Sequence, residues 1–115
     1  MKYIAFLAAL QDVGLQVEQE VTFAKEYGRN WRIDYLIGNV AIEIEGGVFI
    51  QGRHSRGVGL TNDAQKYNCL TLLGYKLLRF TGSQAKNSPV WCAKFVKAAI
   101  DGDIDTELFK PLKKY

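Results

Sequence analysis

The chain has 115 residues, 48% apolar and 23% charged, with a net charge of +3; that is one globular domain with a single core, and it excludes a disordered chain. No apolar run reaches the ~20 residues of a membrane span, and no basic segment followed by a long apolar one marks a signal peptide. Two cysteines, one histidine and no CxxC exclude a disulfide framework and argue against structural zinc, so Cys69 and Cys92 are expected as buried free thiols of a cytoplasmic protein.

In chain order, residues 2–13 predict an amphipathic helix, with Tyr3, Phe6, Leu7 and Leu10 at i, i+3, i+4, i+7 and Gly14 as its stop. Residues 15–24 alternate: Leu15, Val17, Val21 and Phe23 face one way, and Gln16, Glu18, Glu20 and Thr22 the other. Residues 25–30 are a polar loop. Then comes WRIDYLIGNVAIEIEGG, residues 31–47, which reads as two strands around the Gly38-Asn39 pair of a type II′ hairpin. Counting outward from the turn sets Leu36 against Ala41, Tyr35 against Ile42, Asp34 against Glu43, and Arg32 against Glu45. Alternation then puts Ile33, Tyr35, Ile42 and Ile44 on one face and Arg32, Asp34, Glu43 and Glu45 on the other. Like charges directly opposed across a ladder are destabilising. A divalent metal between Asp34 and Glu43 relieves that repulsion, and oxygen ligands of this kind suit Mg²⁺ or Mn²⁺. The competing reading is a solvated polar face with Arg32 neutralising Glu45.

Residues 46–60 contain five glycines with Arg53, His54 and Arg56. They predict a functional loop, in which arginines beside exposed backbone grip phosphate, or else a plain surface loop. Residues 62–73 predict a helix capped by Thr61 or Asn62 and stopped by Gly74. Its buried contacts come from Tyr67, Leu70 and Leu73, or from Ala64 and Leu72, and Asp63 and Lys66 share a face. Residues 75–81 predict a last strand. Ser88-Pro89 opens a further helix with an apolar side of Val90, Trp91, Phe95, Ala98 and Ala99 or Ile100, ended by Gly102. Residues 103–115 predict a loosely packed polar tail. Charge is uneven: residues 1–45 hold seven acids and four bases, and residues 46–100 hold eight bases and one acid. That bias suits a protein that grips phosphates and cuts them with metal.

The order of elements, Asp34 on the second strand and Glu43-Ile44-Glu45 on the third, resembles the PD-(D/E)xK nuclease superfamily. The likeness is nearest to very-short-patch-repair-like and small phage endonucleases. The phrases WRIDYLIGNVAIEIEGG, GRHSRG and DAQKYNCLTLLGYKLLRF carry it over about residues 15–81. The resemblance implies an α/β fold for residues 1–115: an αβββαβ restriction-endonuclease-like core, with a mixed central sheet flanked by helices and a further C-terminal helix.

For the site, the resemblance implies a metal held by Asp34, Glu43 and the Ile44 carbonyl, which activates water against a phosphodiester. Glu45 stands where the common pattern has lysine. It is therefore a candidate second ligand or water-orienting group, and Lys66, steadied by Asp63, is the candidate displaced lysine. His54 is a candidate base or phosphate contact beside Arg53 and Arg56, and Glu18 or Glu20 a candidate accessory acid. The implied function is a Mg²⁺- or Mn²⁺-dependent DNA endonuclease acting on junctions, flaps or mismatches in phage or mobile-element DNA processing. It would work in the bacterial cytoplasm, as a homodimer if it resolves junctions. The alternatives are a non-catalytic nucleic-acid-binding module and a structural protein whose acids are merely solvated.

Overall fold

The computed structural model describes residues 3–46 and 48–112, with side chains for residues 3–46 and 59–112. The elements run α1 (Ile4–Asp12), β1 (Glu18–Thr22), β2 (Arg32–Ile37), β3 (Val40–Glu45), α2 (Val48–Leu72), β4 (Lys76–Thr81), α3 (Gly82–Asn87) and α4 (Pro89–Asp101). Short 3₁₀ turns follow β1 and α4, at Lys25–Tyr27 and Thr106–Phe109. The strands form one mixed sheet in the order β1-β2-β3-β4. β1, β2 and β3 make an antiparallel meander, and β4 joins β3 in parallel through the crossover helix α2. The chain is therefore a mixed α/β protein. No helix among the described residues is long and apolar enough to cross a membrane.

The hairpin register is the counted one: Ile37 pairs with Val40, Leu36 with Ala41, and Tyr35 with Ile42. Gly38 has φ +57° and Asn39 has no positive φ, the pattern a II′ turn demands of its two central residues. Helices α1, α3 and α4 cover one sheet face. There Phe6, Leu10, Tyr35, Val40, Ile42, Phe80, Cys92 and Val96 form the larger core. Helix α2 covers the other face, over a smaller core of Ile33, Leu36, Ala41 and Leu70.

Strict alternation does not survive at the far end of the meander. Leu15 and Val17 pack on the larger core, but Val21 and Phe23 pack on the smaller one. In β2, Ile33 joins Leu36 in the smaller core, while Tyr35 stays in the larger. In β1 the switch lies at Glu20, whose φ of +54° is left-handed; β2 switches opposite it, between Ile33 and Tyr35, with no positive φ of its own. A single left-handed residue turns the strand over locally and changes which face the next side chains meet. The expected common face of Ile33 with Tyr35, and of Val17 with Val21, is corrected accordingly.

Two further expectations change. The predicted loop at 46–60 is helical from Val48 onward, so Thr61 and Asn62 lie inside a helix rather than at its start. Glycines at 52, 57 and 59 each cost about 1 kcal/mol in a helix. Once the turns around Leu70 are docked, however, each further residue adds a hydrogen bond without a new nucleus. Helix α4 packs the expected Trp91, Phe95 and Ala99 on the larger core and adds buried Cys92, Ala93 and Val96, while Val90 and Ile100 are exposed. Leu72 at the end of α2 and Leu73 in the turn after it are likewise exposed. The tail is not wholly loose, since Leu108 is buried against the rest of the domain.

Candidate active site

Asp34 and Glu43 meet where the hairpin ladder stops. The last paired residues are Tyr35 and Ile42. One step further, side chains take over from main-chain pairing. The Asp34 N–H donates to Glu43 Oε2 at 2.9 Å, and the Ile44 N–H donates to Asp34 Oδ2 at 2.8 Å. Each carboxylate is thus anchored on the other strand's backbone. Hydrogen bonds to an ionised acceptor are roughly twice as strong as neutral ones, which holds the two acids side by side despite their repulsion.

Helix α2 delivers the third group. Lys66 Nζ lies 2.5 Å from Glu43 Oε1, with the two side chains only 13% and 11% exposed. The placement of α2 is fixed by Leu70 beneath it and by Arg29, which stacks 3.7 Å over Trp31 and donates to Gln65. Burial pushes the Glu43 carboxyl above the usual carboxylate range. The Lys66 bond and the Asp34 N–H oppose that rise, and the Asp34 charge adds to it. Two carboxylates and one ammonium leave the cluster one negative charge in excess. Glu43 is buried and Asp34 half-buried, so the pair is not a freely solvated face.

The donor set fits a hard divalent cation, which accepts one or two carboxylates and completes its shell with water. Among the described residues no group of three or more His, Cys, Asp or Glu side chains is placed to hold a metal. Asp34 and Glu43 would therefore hold it as a pair. A cavity of about 260 Å³ opens beside them, lined by Glu20, Arg32, Ile33, Asp34 and Lys66. That three consecutive residues of β2 line one cavity follows from the broken alternation.

At the cavity mouth Arg32 pairs with Glu20 at 2.8 Å, both side chains about two-thirds exposed. The left-handed backbone of Glu20 costs roughly 1–2 kcal/mol, whereas an exposed ion pair contributes about 0–1 kcal/mol. Stability alone does not explain this arrangement.

The other candidate residues lie elsewhere. Arg32 does not neutralise Glu45. Arg79 Nε donates to Glu45 at 2.6 Å, the Tyr67 hydroxyl donates at 3.3 Å, and the Arg79 guanidinium lies 4.8 Å over the Tyr67 ring. Glu45, in turn, holds the Arg79 pKa above its ordinary value. Burial and the Glu45 charge raise the Tyr67 pKa, keeping its hydroxyl a donor. Glu45 is not among the cavity's lining residues. Asp63 is exposed and does not hold Lys66, which turns to Glu43 instead. Glu18 is exposed on β1, away from the cavity lining. Arg53, His54 and Arg56 fall on the first half of α2, and their side chains lie outside the described residues.

Arg79 and Tyr67 were missed as the partners of Glu45. The signal was a cation inside the strand YKLLRF. Its register against β3, Glu43 with Arg79, passes through a crossover helix and cannot be counted from a turn. No family model matches the chain, and comparison with curated proteins and with solved structures finds no match.

Proposed function

We propose that this chain is a divalent-metal-dependent DNA endonuclease, a phosphodiester hydrolase on a restriction-endonuclease-like fold. The observation that carries the reading is the Asp34–Glu43–Lys66 cluster at the open end of a hairpin. It pairs a buried carboxylate, Glu43, with a half-buried one, Asp34, and sets an ammonium from the next helix on one oxygen of Glu43. The αβββαβ order and the parallel β3–β4 pair support the same reading, as does the sequence resemblance.

In this site Asp34 and Glu43, with the Ile44 carbonyl, would hold Mg²⁺ or Mn²⁺. The ion's contribution is to lower the pKa of a water and to offset charge on the attacked phosphate. Lys66 has two tasks. It opposes the rise that burial imposes on the Glu43 carboxyl, and it places a cation at the cavity wall where phosphoryl oxygens gain charge. Of the two acids that would hold the ion, Asp34 lines the cavity, so it would face both ion and substrate. Glu45 takes no part in the chemistry and instead anchors Arg79 on the neighbouring strand.

A domain of this size has little surface with which to read sequence, so the substrate is a DNA structure: a junction, a flap or a mismatch. The biological setting is phage or mobile-element DNA processing in a bacterial cytoplasm. The test is a panel of duplex, single-stranded, flap, mismatch and four-way-junction DNAs with Mg²⁺ or Mn²⁺. Cutting that EDTA abolishes, and that Asp34→Asn and Glu43→Gln lose while still folded, is the expected result. Salt-dependent binding without products from any substrate would instead identify a non-catalytic nucleic-acid-binding module.

A further inference from the structure

We propose that the cavity beside Asp34 is a phosphate subsite in which Arg32 is the grip and Glu20 its resting counter-ion. The proposal rests on the nuclease reading and names the residue that holds the substrate backbone. Four observations carry it. Arg32 lines the same cavity as Asp34 and Lys66, two residues before Asp34 on one strand. Among the described residues its guanidinium is engaged by a single carboxylate oxygen, Glu20 Oε1, which leaves a second fork position for an incoming group. Glu20 occupies a left-handed conformation that side chains rarely adopt, and strain of that kind gathers at ligand sites. The cavity, about 260 Å³, lies just under the ~300 Å³ where pockets for drug-sized ligands begin, a fit for a phosphate and its flanking sugar.

The pair acts as an exchange. Without DNA, Glu20 neutralises Arg32 and keeps it extended over the cavity mouth. A phosphodiester entering beside Lys66 offers two anionic oxygens in place of one carboxylate oxygen. Arg32 then turns from Glu20 to the phosphate, a planar fork meeting a matching acceptor. The exposed Arg32–Glu20 contact is weak enough to yield.

The experiment uses the full chain and a fluorescein-labelled DNA from the cleavage panel. Binding is measured in EDTA across a salt series, and cleavage in Mg²⁺. Arg32→Gln is expected to bind about tenfold more weakly, as for one lost charge-assisted bond, and to lower the salt slope by about one. The same variant should raise KM more than it lowers kcat. Arg32→Lys should recover part of the affinity, because charge remains while the fork is lost. Glu20→Gln should bind several-fold tighter by releasing Arg32. Both sites are exposed, and melting curves confirm that the variants fold.

If the wild-type chain cuts DNA but Arg32→Gln keeps its affinity and salt slope, the grip is refuted while the nuclease reading stands. If Glu20→Gln abolishes cutting at saturating DNA with unchanged affinity, Glu20 acts on the reaction and is no counter-ion. A wild-type chain that binds DNA without cutting, and loses that affinity through Arg32→Gln, supports the subsite and overturns the nuclease. A chain that binds no DNA overturns both.

Discussion

The two faces of the sheet divide the work of this protein. On the α1/α3/α4 face, the contacts are between apolar groups. Phe6 meets Tyr35 edge-on with centroids 5.4 Å apart, Phe80 meets Phe6, Trp91 and Phe95, and Trp91 and Phe95 approach to 4.8 Å. Phe6, Leu10, Ile42, Cys92 and Val96 are fully buried there. On the α2 face, among the described residues, Ile33, Leu36, Ala41 and Leu70 make the buried apolar cluster, and beyond them lie the ion pairs Glu43–Lys66 and Glu45–Arg79. The same strands serve both faces, because alternate residues point opposite ways. One face can therefore supply stability while the other keeps an excess buried charge that stability alone would disfavour.

Substitutions on each face sharpen or break this division. The largest expected effect is chemical: Asp34→Asn and Glu43→Gln should each reduce cleavage by on the order of a hundredfold or more, since even outer partners of a metal ligand are worth 10–100-fold. Their melting temperatures should change little, and a large fall in melting temperature would mean the acids hold the fold together. Phe6→Ala, on the opposite face, should destabilise by about 3–5 kcal/mol. That corresponds to a drop of roughly 12–40 °C in melting temperature for a domain near this size. Below the new transition its cleavage rate should match wild type, and lost activity in the folded variant would show that the faces are coupled.

The next effect depends on pH. Because burial raises the Glu43 pKa, between the ordinary glutamate value and the raised one the folded chain keeps a proton that the unfolded chain has released. This group's contribution to stability therefore falls as pH rises through that window. Protons and metal compete for Glu43, so Mg²⁺ should raise the melting temperature more at pH 8 than at pH 5, as a ligand of the folded state must. Lys66→Met removes the cation that pulls this pKa down, and should move the onset of metal stabilisation to higher pH. An equal Mg²⁺ effect at both pH values in the wild type would remove Glu43 from the ion's shell.

The smallest expected effect is at Glu45→Gln. Its bond to Arg79 is half-exposed on the arginine side, so the loss should be about 0–1 kcal/mol, with cleavage within a few-fold of wild type. A loss as deep as that of Glu43→Gln would return Glu45 to the reaction. Cys92, pushed up to about 12 by burial, should resist thiol reagents until the chain unfolds, while the partly exposed Cys69 reacts first.

Local physics made much of this legible without coordinates. The Gly38-Asn39 turn sets its own register by residue count, so the adjacency of Asp34 and Glu43 could be read directly from the chain. Helix stops at Gly14, Gly74 and Gly102 were readable for the same reason: each has a φ of +80° or more, which glycine adopts freely. What the tertiary structure alone decided was every pairing that crosses α2. Lys66 could have remained a surface residue beside Asp63, and it reaches Glu43 only because Leu70 docks the helix on the sheet. Arg79 reaches Glu45 through a parallel register that no turn encodes. The face switch at Glu20, and with it the Arg32 contact, depends on one backbone torsion of a non-glycine residue, which side-chain patterning does not record. Short-range geometry follows from residue spacing, whereas contacts closed by a 25-residue crossover depend on how the whole helix packs.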